Sequence, residues 1–215
     1  MFHGVDVSLA DLAFPGDSAA DVVSLLARWY EPTSGRILIN GTDYRERSLD
    51  WWQSQFGVVQ QVPHLFSGTI LENVRYGRLN ATEADVYEAL DRVNARHFVD
   101  ALEGGILFEV GESGYKLSTG ERQLISLARA VISNPQMFIM DEATSYLDRK
   151  TESLITKNIK ALGITRFAVA HRLSSIEEAN RILMLGEGEI LGFDSHSNLL
   201  QNCPEYKQLH SISTS

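Results

Sequence analysis

Asp141 and Glu142 stand side by side after a wholly apolar run, Met137-Phe138-Ile139-Met140. Such a run suits a central parallel strand buried on both faces. The strand would deliver the two acids at its carboxyl end, where open α/β sheets bind ligands. There the first acid suits Mg²⁺, directly or through water. The second suits orienting or deprotonating a water molecule. Taken alone, the pair reads equally well as a strand running into a solvated acidic turn. A second candidate is Leu117-Ser118-Thr119-Gly120-Glu121-Arg122-Gln123. A serine cap and a glycine at a helix start expose backbone N–H groups and the positive end of the helix dipole, which favours an anion. A lone Ser-x-x-Glu is more commonly a cap and nothing more. His171 follows the run Arg166–Ala170 directly and could reach a ligand in the same crevice. A lone histidine is more often structural.

The elements that would position these residues follow from periodicity. Short apolar runs predict strands at Arg36–Asn40, Gly57–Gln60, Gln136–Met140, Arg166–Ala170, Arg181–Leu185 and Glu189–Gly192. Gly186-Glu187-Gly188 separates the last two as a hairpin turn. Thr82-x-x-Asp85 opens an i, i+3, i+4, i+7 stripe of Val86, Ala89, Leu90 and Val93. Ser118-x-x-Glu121 opens another, with Leu124, Ile125, Leu127, Ala128 and Val131. Further helices are expected from about Asp148 to Lys160, with Leu154, Ile155 and Ile159 inward, and from Ser174 or Ser175. A last helix, Pro204–Ser213, should bury Tyr206 and Leu209. The middle of the chain, roughly Ser67 to Asn134, carries helix signals and no clear strand. An α/β core with a helical insertion fits this order.

Composition narrows the class. The chain has 215 residues, 44% apolar and 22% charged, which excludes wholesale disorder. It contains no run of 18 apolar residues to span a bilayer. Met1 to Gly16 carries Asp6 and Asp11 and no Lys or Arg, unlike a secretory signal. Cys203 is the single cysteine, so a disulfide framework is excluded and a reducing compartment is expected. Nineteen basic against 28 acidic residues give a net charge of −9, which argues against a broad nucleic-acid-binding surface.

The order of the motifs is more specific than any one of them. Gln61-x-Pro-x-Leu-Phe precedes FEVGESGYKLSTGERQ, then MFIMDEATSYLD, then AVAHRLSSI. In that order the chain resembles the nucleotide-binding domain of an ABC transporter, most similar to the exporter branch of multidrug and lipid flippases. The likeness runs from about Val22 onward, through LLARWYEPTSGRILING and LFSGTILENVRYG. It implies an α/β P-loop NTPase (RecA-like) core with a mostly parallel sheet, formed by residues 1–66 and 135–215, and an inserted helical signature subdomain, 67–134. It implies ATP and Mg²⁺ as ligands, and partners in a second nucleotide-binding domain and a transmembrane domain. No nucleic-acid partner is implied, and the expected location is the cytoplasmic face of a membrane.

By the same resemblance Gln61 matches the Q-loop glutamine, which senses Mg²⁺ and the γ-phosphate. Glu109 to Gly114 match the exporter stretch before the signature, and Ser118, Thr119 and Gly120 match the signature itself. Thr119 and Glu121 depart from its commonest form. Asp141 matches the Walker B acid and Glu142 the general base. Ser145-Tyr146-Leu147-Asp148 matches the D-loop, and His171 the switch histidine.

The P-loop departs from the pattern. G-x-x-x-x-G-K-[ST] places a nest of backbone N–H groups and a lysine on the phosphates. None of the 16 glycines here is followed by lysine, and the first lysine is Lys116. Matching VVSLLARWYEP to the family sets Gly16, Asp17, Ser18, Ala19, Ala20 and Asp21 where the motif should end. Ala19 then stands at the lysine and Ala20 at the Mg²⁺-binding hydroxyl. Ser18-x-x-Asp21 is itself a cap pattern that brings negative charge to the phosphate position. Two like charges at ~4 Å repel by ~4 kcal/mol at an effective dielectric near 20. The strand pair that bears the family's adenine platform is not recognisable before Gly16, so an N-terminal truncation is expected. Three readings besides a working ATPase follow: a non-catalytic partner that lends its signature in trans, an inactive fragment, and a chromosome-associated ABC ATPase. The last is disfavoured by the acidic balance, the lack of a coiled-coil insertion and the segment FEVGESG.

Overall fold

The computed structural model describes residues 7–13, 19–39, 41–60, 62–141, 149–161, 163–169, 177, 179–186 and 189–213. In chain order the elements are β1 (Val7–Ala13), α1 (Ala19–Leu26), β2 (Ser34–Ile39), β3 (Thr42–Asp43), α2 (Leu49–Ser54), β4 (Phe56–Val59), α3 (Ile70–Arg75), α4 (Glu83–Arg92), α5 (Arg96–Ala101), α6 (Thr119–Ile132), β5 (Met137–Asp141), α7 (Arg149–Ala161), β6 (Thr165–Val169), β7 (Ile182–Gly186), β8 (Glu189–Asp194), α8 (His196–Asn202) and α9 (Pro204–Ser213). They pack as two compact units. One is built from Arg45–Phe167; the other joins Val7–Tyr44 to Ala168–Ser215.

The first unit holds the sheet β4-β5-β6. β4 and β5 run parallel, with Phe56 beside Met137 and Val59 beside Met140. β5 is central and buried: Met137, Phe138 and Ile139 are at most 2% exposed. This matches the apolar run, because a strand covered on both faces has no position to give to a polar side chain. Among the described residues, 67–134 form helices and 3₁₀ turns but no strand. Their apolar stripes, from Ile70 and Val74 on α3 through Val86, Ala89 and Leu90 on α4 to Ile125, Leu127 and Ala128 on α6, make one continuous core with Phe138 and Met140. Thr82 caps α4 in a reciprocal box: the Asp85 N–H donates to its Oγ1 and the Asp85 carboxylate accepts from the Thr82 N–H at 2.7 Å. These contacts hold the Asp85 carboxyl below its usual pKa, chiefly through the Thr82 hydroxyl. α7 presents Ile159 to the core, as expected; the side chains of Leu154 and Ile155 lie outside the described residues.

In the second unit β1 pairs antiparallel with β2, and β2 with β3. β1 was not signalled by the sequence, because VSLADLA mixes Ser and Asp into a short run without clean alternation. β7 and β8 form an antiparallel pair from Ile182↔Asp194 to Gly186↔Glu189, as the hairpin reading requires. Ile182, Leu199, Cys203 and Tyr206 form the core beneath that pair. Gly192 on β8 faces α8 so closely that a Cβ would stand 2.7 Å from Leu199 Cδ2 and 3.6 Å from Cys203 Sγ.

α9 has the expected bounds and buries Tyr206, but Leu209 is 43% exposed. The inward face runs from Tyr206 to the half-buried His210, one turn on, which turns Leu209 to solvent. The expected helix start at Ser174 or Ser175 lies outside the described residues. No helix among the described residues is long and apolar enough to cross a membrane.

Candidate functional site

Parallel pairing puts the carboxyl ends of β4 and β5 at the same edge of the sheet. Asp141 is the last residue of β5, and β4 runs out at Val59 into Gln60. In the sequence Gln61 follows the end of β4 by two positions and Glu142 follows the end of β5 by one. Gln61, Glu142, Asp148, His171, Gly16 and Ser18 lie outside the described residues, as does the side chain of Asp141. Close packing sets the strand positions: a Cβ on Gly57 of β4 would stand 3.0 Å from Pro135 and 3.1 Å from the Ala130 carbonyl of α6.

Ser118, Thr119 and Gly120 form the start of α6. Ser118 is the N-cap, and its Oγ accepts from the Glu121 N–H at 3.3 Å. Glu121 reciprocates, accepting the Ser118 N–H at 2.7 Å. The N–H groups of Thr119 and Gly120 are those that a helix start leaves for an anion. Gly120 adds no side chain in front of them. Glu121 also places a carboxylate at this cap. Arg122 folds back over the turn, donating to the Leu117 carbonyl at 2.7 Å and to Thr119 Oγ1 at 3.0 Å. Replacing Ser118 by alanine is expected to cost about 1 kcal/mol in stability. Urea titration measures it, and an unchanged midpoint would show that the cap carries no structural load.

The approach to the cap is held by backbone. Gly111, Ser113 and Gly114 have positive φ of 78°, 52° and 73°. A Cβ on Gly111 would collide with the Tyr115 ring, and one on Gly114 would stand 2.9 Å from Arg122 Cδ. Val110 N–H donates to the Gly68 carbonyl and Ile70 N–H to the Phe108 carbonyl, around a bridge between Thr69 and Glu109. The stretch before the signature is thus tied to the start of α3.

Two further groups link α6 to the segment after β4, and motif reading missed both. Gln123 is fully buried, and its Nε2 donates to the Gln60 carbonyl at 3.4 Å. Arg129 donates to the Asn73 carbonyl at 2.9 Å, to Asn73 Oδ1 at 2.9 Å and to the His64 carbonyl at 3.0 Å. Asn73, itself fully buried, accepts from Phe66 N–H at 2.9 Å and donates to the Phe66 carbonyl at 2.8 Å and the Thr69 carbonyl at 3.0 Å. Burial lowers the Arg129 pKa from its usual value, but a guanidinium stays charged far above neutral pH. The available signal was polar Gln123 and Ser126 inside an apolar stripe, since buried polar groups need partners.

A parallel strand pair, a helical layer between its strands in the chain, an acid at a strand's carboxyl end and a capped helix start fit the P-loop NTPase fold of the ABC ATPase class. The chain belongs to the ABC transporter family, whose profile matches residues 21–145. Among curated proteins it is 38% identical to ABC transporter B family member 21 of Arabidopsis thaliana, over 97% of this chain and 17% of that protein. It is 40% identical to a multidrug resistance ABC transporter ATP-binding and permease protein of Lactococcus lactis subsp. cremoris, over 91% of this chain and 34% of that one. Among solved structures, a bacterial Atm1-family ABC exporter with ATP bound aligns with a TM-score of 0.88 and 36% identity, covering 92% of this chain and 35% of the other. The chain thus spans about a sixth to a third of these relatives.

Proposed function

We propose that this chain is the ATP-binding domain of an ABC-type exporter. It works head to tail with a second nucleotide-binding domain and beneath a transmembrane domain, at the cytoplasmic face of a membrane. The observation that carries the reading is the pairing, in one compact unit, of the Ser118-capped start of α6 with a parallel strand that ends on Asp141. In this reading residues 1–66 and 135–215 form the ATPase core and 67–134 the signature subdomain.

The two phosphate-facing ends differ in fit. The start of α6 offers backbone N–H groups and the hydroxyls of Ser118 and Thr119, which suit a γ-phosphate presented by a partner. Among the described residues, the first turn of α1 offers Ala19, Ala20 and the acid Asp21, and neither a cation nor a hydroxyl. This end, with Gly16 and Ser18 before it, is a degenerate P-loop. Mg²⁺ held by Asp141 and Gln61 would offset charge on the phosphates. Glu142 takes the proton of the attacking water in an in-line displacement, His171 contacts the γ-phosphate, and Asp148 belongs to the dimer seam.

The contrast between the two ends supports a second reading. Ser118, Thr119 and Gly120 would complete an intact partner's site in trans, while this chain's own site hydrolyses nothing.

Calorimetry with Mg-ATP separates these readings, run on the chain and on an Ala19→Lys/Ala20→Ser variant. Binding by the chain itself supports the first reading; no measurable binding by the chain, with clear binding by the variant, supports the second. A chain that hydrolyses ATP faster than its Glu142→Gln variant would refute the degenerate P-loop. A mixture with an intact nucleotide-binding domain that gives neither a complex nor a change in the partner's ATPase rate would remove the trans role.

A further inference from the structure

Three ligand-bearing side chains meet in the second unit, and none of them carries a role in the site described above. Glu177, His196 at the start of α8 and His210 in the last turn of α9 each offer one donor atom, and the three lie within 4.8 Å of one another. Glu177 is exposed and both histidines are half-buried, so the cluster is open to ions yet backed by protein. His210 Nε2 stands 3.8 Å from Glu177 Oε1, and the two imidazoles are tilted at 54° to each other with centroids 5.4 Å apart.

We propose that Glu177, His196 and His210 form a binding site for a divalent first-row transition ion, with Zn²⁺ the best fit. Two neutral imidazoles and a carboxylate are a common zinc donor set, and the fourth position of the tetrahedron falls to water. Zn–N and Zn–O bonds of ~2.0–2.2 Å put tetrahedral ligands ~3.4 Å apart. Small side-chain rotations close the present spacing.

Tyr206 supports the site. Its hydroxyl stands 2.8 Å from His196 Nδ1, and its ring packs edge-on to the imidazole at 5.8 Å. A partner on the other ring nitrogen is what holds a metal-bound histidine in orientation. Through these two contacts Tyr206 acts as a positioning residue for His196. The three ligands come from a loop and two helices. The ion would therefore clip α9 and α8 to the segment at Glu177, and its role is structural.

The test is titration of the whole chain, without nucleotide, by Zn²⁺ in a calorimeter and by Co²⁺ in a spectrophotometer. One ion should bind per chain at micromolar or tighter affinity, Co²⁺ should give the strong visible absorption of four-coordinate geometry, and the melting temperature should rise. His196→Ala/His210→Ala should abolish binding, and His97→Ala, at an exposed site elsewhere, should leave it intact. Glu177→Gln, an exposed and nearly isosteric change, should weaken binding at least tenfold with unchanged melting of the metal-free chain. That variant keeps the test decisive if the double variant misfolds. No stoichiometric binding would overturn the proposal. So would binding that survives the Glu177 and histidine variants, or a thiolate-to-cobalt charge-transfer band that places the ion on Cys203.

Discussion

Replacing Asn73 by alanine is expected to destabilise the chain by about 3 kcal/mol, far more than an ordinary surface asparagine. The side chain is fully buried and makes four hydrogen bonds, to Phe66 N–H, the Phe66 and Thr69 carbonyls and the Arg129 guanidinium. Its removal strands both main-chain groups of Phe66. It also leaves Arg129 with only the Asn73 and His64 carbonyls among its hydrogen-bond acceptors. Arg129→Met cuts the network from the other side. In a double-mutant cycle the two losses should fall short of additive by about 1 kcal/mol, because each change removes the shared bond. Denaturant titration of the four proteins measures this. Additive losses would show that the two residues act separately. Amide exchange adds a second readout: Phe66 N–H should lose protection in Asn73→Ala, while the amides of central α4 keep theirs.

Gly77→Ala should be at least as damaging, with a loss of about 3 kcal/mol or more and poor solubility. Gly77 lies just past the end of α3, where a Cβ would fall on the Arg129 carbonyl oxygen of α6 and 2.8 Å from Ile132 Cγ2. The nearest obstacle is backbone, which no rotamer can clear. α3 and α6 would have to separate, opening the apolar layer between them. Gly163→Ala is the fitting control. Its φ of 66° disfavours a side chain but nothing lies within 4 Å of its Cβ, so it should cost about 1 kcal/mol. Similar urea midpoints for the two variants would mean that α3 can shift freely on α6.

Readability in the sequence followed the range of the interaction. The caps of α4 and α6 are written within four residues, Thr82 to Asp85 and Ser118 to Glu121, and both boxes are present. β5 was readable because burial on both faces leaves no room for polar residues. Arg129 and Asn73 are 56 positions apart. No local pattern pairs them, and only the polar residues within the α6 stripe hinted at buried partners. β1 was missed because its hydrogen bonds to β2 come from a segment more than twenty residues away, whatever its own pattern. Leu209 was misjudged because helical spacing narrows the choice of face, and packing against α8 decided for His210. Of the candidate site, the start of α6 and the strand leading to Asp141 could be derived from residue types. Glu142 and His171 could be proposed from their places after apolar runs, but their match to the general base and the switch histidine, and that of Gln61 to the Q-loop, rests on motif order.

The close approach of Gly192 to α8 gives the lone thiol a further use. Cys203 Sγ is covered by β8 and α8, and a labelling reagent cannot reach it while they stay together. Modification must then wait for a local or global opening of that corner, so its speed counts the openings. In the limit where reclosing outruns labelling, the ratio of the observed rate to that of an unstructured cysteine peptide is the equilibrium constant for opening. The natural sequence thus carries a built-in clock for the breathing of its C-terminal helices, readable by mass without any engineered probe.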